Sequence, residues 1–284
     1  MKIRKSLPLL VFLAIVLAFF GVYRVWKQSV TDLKPPKITV EPGVFEISVH
    51  DPYEKMLEGI VATDDFDGDV TGSLMIEKIG VINEANEFVV TYAAFDSSCN
   101  VAKVRRTLRY VDYESPKFYL SSPLLYAYGR DVDIVNRVTA TDVIDGNISH
   151  RIKPTITSEI PLSSEGVHNI MFRVTNSLGD TTELNIPAEV YPSGKYNAKL
   201  SLSDYLIYIP VGQSFNERQY LRGFEYDDVS VRLGNTLPQD YRLVTSGQVN
   251  TDIPGVYPVS YTLTRTVDKY IYTGYSKLIV IVEG

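Results

Sequence analysis

The sequence predicts an all-β protein that follows one membrane-spanning helix. Three observations carry the prediction. A cassette, Asp64-Asp-Phe-Asp67-Gly68-Asp69-Val70-Thr71, returns 78 residues later as Asp142-Val-Ile-Asp145-Gly146-Asn147-Ile148-Ser149, each time after an Ala-Thr pair. Past residue 35 the chain alternates short Val, Ile, Tyr and Thr runs with Gly, Pro, Asn and Asp, and no apolar run keeps a helical period. Ahead of all this stand 18 uncharged residues, Ser6 to Tyr23.

As a helix that uncharged run spans roughly 27 Å, close to the hydrocarbon thickness of a bilayer. Lys2, Arg4 and Lys5 precede it and favour a cytoplasmic amino end, which leaves the chain beyond about Lys27 outside. Tyr23 and Trp26 suit the outer interface. Val16-Leu-Ala18 also fits a signal-peptide cleavage site, so removal of the segment is the competing reading; Phe19, Phe20 and Val22, lying past such a cut, speak for a retained anchor. The expected order is a tail at 1–6, an anchor at 7–25 and a tether at 26–36 whose Pro35 and Pro36 stiffen it.

The repetition runs beyond the cassette. Phe88-Val-Val-Thr-Tyr92-Ala-Ala-Phe-Asp96-Ser-Ser-Cys-Asn100 aligns at a shift of 80 with His168-Asn-Ile-Met-Phe172-Arg-Val-Thr-Asn176-Ser-Leu-Gly-Asp180. Both read as an alternating strand entering a turn, with Phe88, Val90 and Tyr92 on one face and His168, Ile170 and Phe172 on its counterpart. A worn third copy is visible in Gly255-Val-Tyr257-Pro-Val259-Ser-Tyr261-Thr-Leu263, with Glu225-Tyr-Asp227-Asp228-Val229-Ser230 in the cassette's place. A period near 80 is too long for a solenoid and suits small β-sandwiches. Three are expected, at 37–113, 114–192 and 195–284, and the brief links Tyr113-Glu-Ser-Pro116 and Tyr191-Pro-Ser-Gly194 favour a rod.

The pattern Ala-x-Asp-x-x-Asp-Gly-[Asp/Asn]-[Val/Ile]-[Thr/Ser], followed about 20 residues later by Tyr92-Ala-Ala-Phe-Asp96-Ser-Ser-Cys-Asn100, resembles the bacterial immunoglobulin-like repeats of surface proteins, a type also appended to some pesticidal crystal proteins. The resemblance covers 37–112 and 116–191 well and 196–284 loosely. Cys99 occupies the slot where the family has glycine, and the second copy reads Asn176-Ser-Leu-Gly179-Asp180. What the resemblance implies is an immunoglobulin-like sandwich scaffold, extracellular placement on a bacterial cell and no chemistry of its own.

Charge and composition narrow the function. Residues 35–284 hold 22 basic and 33 acidic residues, a net of −11 that argues against nucleic acid as a partner. Cys99 is the single cysteine, so no internal disulfide forms, and His50, His150 and His168 are scattered. His168 falls where the other copies have Phe88 and Tyr257, a core-facing or rim position. No nucleophile elbow, phosphate loop, His-Glu-x-x-His or Cys-x-x-Cys occurs, and a cassette present twice points to scaffold rather than catalysis, so no enzyme is expected.

Two features remain as candidate sites. Asp64, Asp67, Asp69 and Asp96 could supply calcium with several of its six to eight oxygens, and Asp142, Asp145, Asn147 and Asn176 form a weaker second set. The alternative is that these side chains bond their own backbone around Gly68 and Gly146 and hold no metal. No other cofactor is expected. Eleven of the 20 tyrosines lie between Tyr196 and Tyr275, and Tyr270, Tyr272 and Tyr275 could offer an aromatic face to a glycan or protein, though tyrosine is also simply a preferred strand residue. The reading is a single-pass membrane protein that displays a recognition or adhesion module; the alternative is a structural or accessory spacer subunit of an envelope assembly.

Overall fold

The computed structural model describes residues 7–30, 32–156, 163–234 and 236–284. The expected cytoplasmic tail, 1–6, lies outside the described residues. The chain is all-β after one helix, α1 (Leu7–Val30). That helix outlasts the expected anchor by five residues, because nothing between Arg24 and Val30 breaks it and the next proline after Pro8, which sits in the helix's first turn, waits at position 35. It is long and apolar enough to cross a membrane, a test that an anchor and a signal sequence pass alike.

Two compact units follow from the contacts, Met1–Tyr113 and Glu114–Gly284. The first contains β1 (Lys37–Val40), β2 (Phe45–Ile47), β3 (Ile60–Asp64), β4 (Gly68–Asp69), β5 (Met75–Ile79), β6 (Glu87–Phe95) and β7 (Val101–Tyr110). They form a sheet β1-β3-β4 and a second sheet β2-β7-β6-β5. Phe88, Val90 and Tyr92 point inward from β6 and are at most 2% exposed, as strand alternation predicts.

In the second unit the same plan recurs as β8 (Lys117–Leu120), β9 (Leu125–Ala127), β10 (Val138–Asp142), β11 (Gly146–Asn147), β12 (Lys153–Ile156), β13 (Gly166–Thr175) and β14 (Thr181–Tyr191). Sheets β11-β10-β8 and β12-β13-β14-β9 mirror the two of the first unit strand for strand. The duplication reaches individual torsions: Val70 sits at φ −112°, ψ 19° and Ile148 at φ −110°, ψ 19°. His168 is fully buried and its Nε2 lies 2.8 Å from the carbonyl of Ser164. Cys99, at φ 66°, keeps the left-handed conformation that Gly179 holds at φ 78° in the second copy.

The remaining strands, β15 (Ala198–Leu202), β16 (Leu206–Pro210), β17 (Leu221–Tyr226), β18 (Val229–Arg232), β19 (Tyr241–Ser246), β20 (Gly255–Val267) and β21 (Tyr270–Glu283), make one seven-stranded sheet. β21 is buried on both faces. Leu278, Val280 and Val282 enter the core of this sheet, whereas Ile279 joins the core of the preceding segment together with Leu206 from β16. Such double burial explains the unbroken run Leu278-Ile-Val-Ile-Val282.

The expectation of a rod fails inside this second unit. Tyr275 and Lys277 reach Glu189 near the end of β14, while Glu283 approaches Lys117 at the start of β8 (3.5 Å). The last segment therefore folds back along its predecessor. A link as short as Tyr191–Gly194 permits either arrangement, and the apolar faces of β16 and β21 select this one by leaving water.

Candidate metal site

The cassette of the first unit is held by its own backbone first. Asp64 ends β3 nearly buried, and its Oδ1 accepts the N–H groups of Phe66 (2.7 Å) and Asp67 (3.0 Å). Gly68 turns the chain at φ 76°, a conformation that costs glycine nothing. Asp67 then accepts both the N–H and the hydroxyl of Ser97, each at 2.8 Å, which pins the cassette to the turn after β6. At the head of that turn Asp96, 3% exposed, accepts the Asn100 N–H (2.8 Å) and side-chain amide (2.7 Å).

A residue that sequence reasoning missed completes the group. Asp32, just beyond α1, brings its carboxylate to this turn, and its carbonyl accepts a bond from the Asn100 amide (3.3 Å). One oxygen each from Asp32, Asp64, Asp67 and Asp96 lies within 4.8 Å of the others. Asp32 Oδ2 is buried without a hydrogen-bond partner. Burial pushes the Asp96 carboxyl up, but the bonds from Asn100 and Ser98 outweigh it and hold the group below the usual carboxylate range. An all-oxygen set of this kind suits a hard cation such as calcium.

Asp69 does not belong to the set. It lies across the β3–β4 pair from Thr63, and its carboxylate accepts the Thr71 N–H (2.9 Å), with the Thr71 hydroxyl and N–H lowering its pKa. Asn147 behaves the same way in the second copy, accepting the Ser149 N–H (3.0 Å) and hydroxyl (2.7 Å).

In the second copy the protein supplies an amide donor and a cation of its own. Asn176 occupies the place of Asp96, and its amide donates to Asp142 Oδ2 (3.0 Å). Arg151, where the first copy has Ser73, donates to Asp145 (2.6 Å). Burial raises the Asp145 carboxyl, yet Ser177 and Arg151 together hold it below its ordinary value. Among the described residues, the group around Asp32 is the one acidic cluster of metal-binding dimensions.

The three tyrosines proposed as one aromatic face are not one face. Tyr270 is exposed (72%), Tyr272 bonds Asp227 and packs against Tyr226, and Tyr275 points to the opposite side of β21, stacked on Tyr196 with its hydroxyl between Glu189 and Ser260. Positions 272 and 275 differ by an odd number, so the pleat separates them.

No protein-family model matches the chain. It is 32% identical over 126 residues, 44% of its length, to the pesticidal crystal protein Cry22Aa of Bacillus thuringiensis, and 26% identical over 202 residues, 69% of its length, to an uncharacterized 81.3 kDa protein of Acholeplasma phage L2. The chain spans 16% and 25% of those two proteins. Solved structures similar to it include Drosophila N-cadherin EC1-3 (13% identity, 86% of this chain and 99% of that one, TM-score 0.29) and the M60 catalytic domain with CBM51 domains from Clostridium perfringens ZmpB (14%, 88% and 43%, TM-score 0.26). Overlays at these scores carry no functional argument. The crystal-protein match agrees with a β-sandwich repeat.

Proposed function

We propose that the chain is a membrane-anchored bacterial surface protein of three immunoglobulin-like repeats that acts by non-covalent recognition of a glycan or protein and performs no catalysis. In this reading α1 is retained as a single-pass anchor and the β-rich part lies outside the cell. The first repeat takes a calcium ion. The single observation behind the metal is the contrast between copies: Asp142 takes a hydrogen bond from the Asn176 amide and Asp145 is paired with Arg151, whereas Asp64, Asp67 and Asp96 meet another carboxylate, Asp32, instead. Calcium would be held by these four residues and would tie the tether to the first repeat, adding rigidity and no chemistry.

Recognition is supported by Tyr270 and Ile271, 72% and 61% exposed at the tip of the β20–β21 hairpin. The test uses the full chain in detergent, because residues 195–284 alone would expose Leu206 and Ile279. Glycan-array binding that disappears in Tyr270→Ala supports the reading. Binding unchanged by that substitution removes the site, and co-purification with envelope proteins without any glycan signal favours the spacer alternative.

A further inference from the structure

We propose that β19 is a self-pairing edge through which two copies of this chain join their seven-stranded sheets. β19 lies at the end of its sheet and, among the described residues, pairs only with β20, in unbroken register from Tyr241↔Arg265 to Ser246↔Ser260. Thr266 N–H donates to Asp240 O, so in this register the peptide groups of even-numbered residues face β20. Those of Leu243 and Thr245 turn the other way, and no partner takes them among the described residues.

Three other edges carry features that β19 lacks. β12 contains Pro154, β5 has a register shift between Ile76 and Lys78, and the Phe118 peptide of β8 is capped by the Tyr208 hydroxyl. β19 runs six residues without proline or bulge, with Arg242 as its one charged side chain, and Val244 in its middle is 50% exposed. An uncovered strand of this kind is a template for another strand.

The occupant follows from symmetry. An antiparallel pair about a two-fold axis at Val244 sets Leu243 opposite the partner's Thr245 and the reverse, and these are the residues whose N–H and C=O groups are free. Four hydrogen bonds result. Val244 meets its own copy across the axis, and Arg242 falls opposite serine, so no like charges face each other. This inference is independent of ligand recognition and of calcium.

The experiment places single cysteines in the full chain, in detergent and in a Cys99→Gly background. Val244→Cys brings two Cα atoms to about 4.5 Å, within disulfide reach, whereas Ser246→Cys leaves its copies about 14 Å apart. A disulfide dimer from Val244→Cys but not Ser246→Cys is expected under mild oxidation. In sedimentation velocity, Val244→Lys should weaken association roughly fivefold or more by opposing like charges. Absence of the Val244→Cys dimer, equal cross-linking at both positions, or a dimer indifferent to Val244→Lys each overturns the proposal.

Discussion

The Asn176 amide donates to Asp142 at 3.0 Å, and the residue in Asn176's place in the first copy is Asp96. One position thus separates a cassette in which the chain's own amide donates to a carboxylate from one in which a second carboxylate stands in the amide's place. With calcium at a hundred times its Kd, the folded state gains about 2.7 kcal/mol. We expect the melting midpoint of the first unit to rise in millimolar calcium and fall back with chelator. Asp96→Asn should abolish that response and raise the metal-free midpoint, by recreating the amide bridge. An unchanged wild-type midpoint in calcium removes the metal from the proposal.

Tyr208 caps Phe118 on both sides, accepting its N–H (2.8 Å) and donating to its C=O (3.2 Å). Tyr208→Phe leaves both peptide groups without a partner and should cost about 1–3 kcal/mol in chemical denaturation of the second unit. Burial raises the pKa values of Tyr208 and Tyr275. A folded-state pKa above the unfolded value means their contribution is complete below about pH 10 and is lost as pH climbs through the folded value. The seam between β21 and its neighbours should therefore loosen in alkali, read as a separate unfolding step that Tyr208→Phe shifts.

Lys277 and Glu189 form an ion pair at 2.8 Å with side chains only 8% and 16% exposed. Lys277→Met alone takes the cation from a nearly buried carboxylate, leaving the Tyr275 hydroxyl as its donor, and should cost about 3 kcal/mol. Lys277→Met with Glu189→Leu should cost markedly less, since neither charge remains. Equal losses in the single and double variants would show that packing, not the pair, matters there.

Acid should act on the second cassette. Asp145 has its folded pKa depressed despite burial, so its stabilisation is present above the ordinary carboxylate pKa of about 4 and is lost as pH falls through the folded value. The acid-unfolding midpoint should move upward in Arg151→Ala, which removes one of the groups that depress it. Circular dichroism against pH reads this directly.

Cys99 adopts φ 66°, where its counterpart is glycine. Cys99→Gly relieves the contact of Cβ with the backbone and should stabilise the first unit by up to about 1 kcal/mol, less the extra freedom of glycine when unfolded. A scanning calorimetry midpoint that drops instead would mean the thiol makes a contact worth more than the strain.

Strand character, the paired cassettes and the inward set Phe88, Val90 and Tyr92 were legible in the sequence because they depend on neighbours within a few residues. Alternation assigns faces, and Asp-x-x-Asp-Gly specifies its own turn by hydrogen bonds across two or three residues. That Asp32 joins the group and Asp69 stands outside it is not legible in the sequence, since it depends on where each carboxylate lies relative to Asp96, and Asp32 reaches Asn100 from 68 residues off. Parity could have set Tyr275 apart from Tyr272 without coordinates.

The sequence by itself determined which segments are strands, where the turns fall and which residue types the repeats share, all outcomes of local periodicity and backbone preference. Only the tertiary structure decided that the last segment doubles back on its predecessor, that Tyr275 is spent in the seam, and that four aspartates converge on one point. Those results depend on burying the apolar faces of β16 and β21 and on the direction of side chains far apart in the chain, which no local pattern encodes.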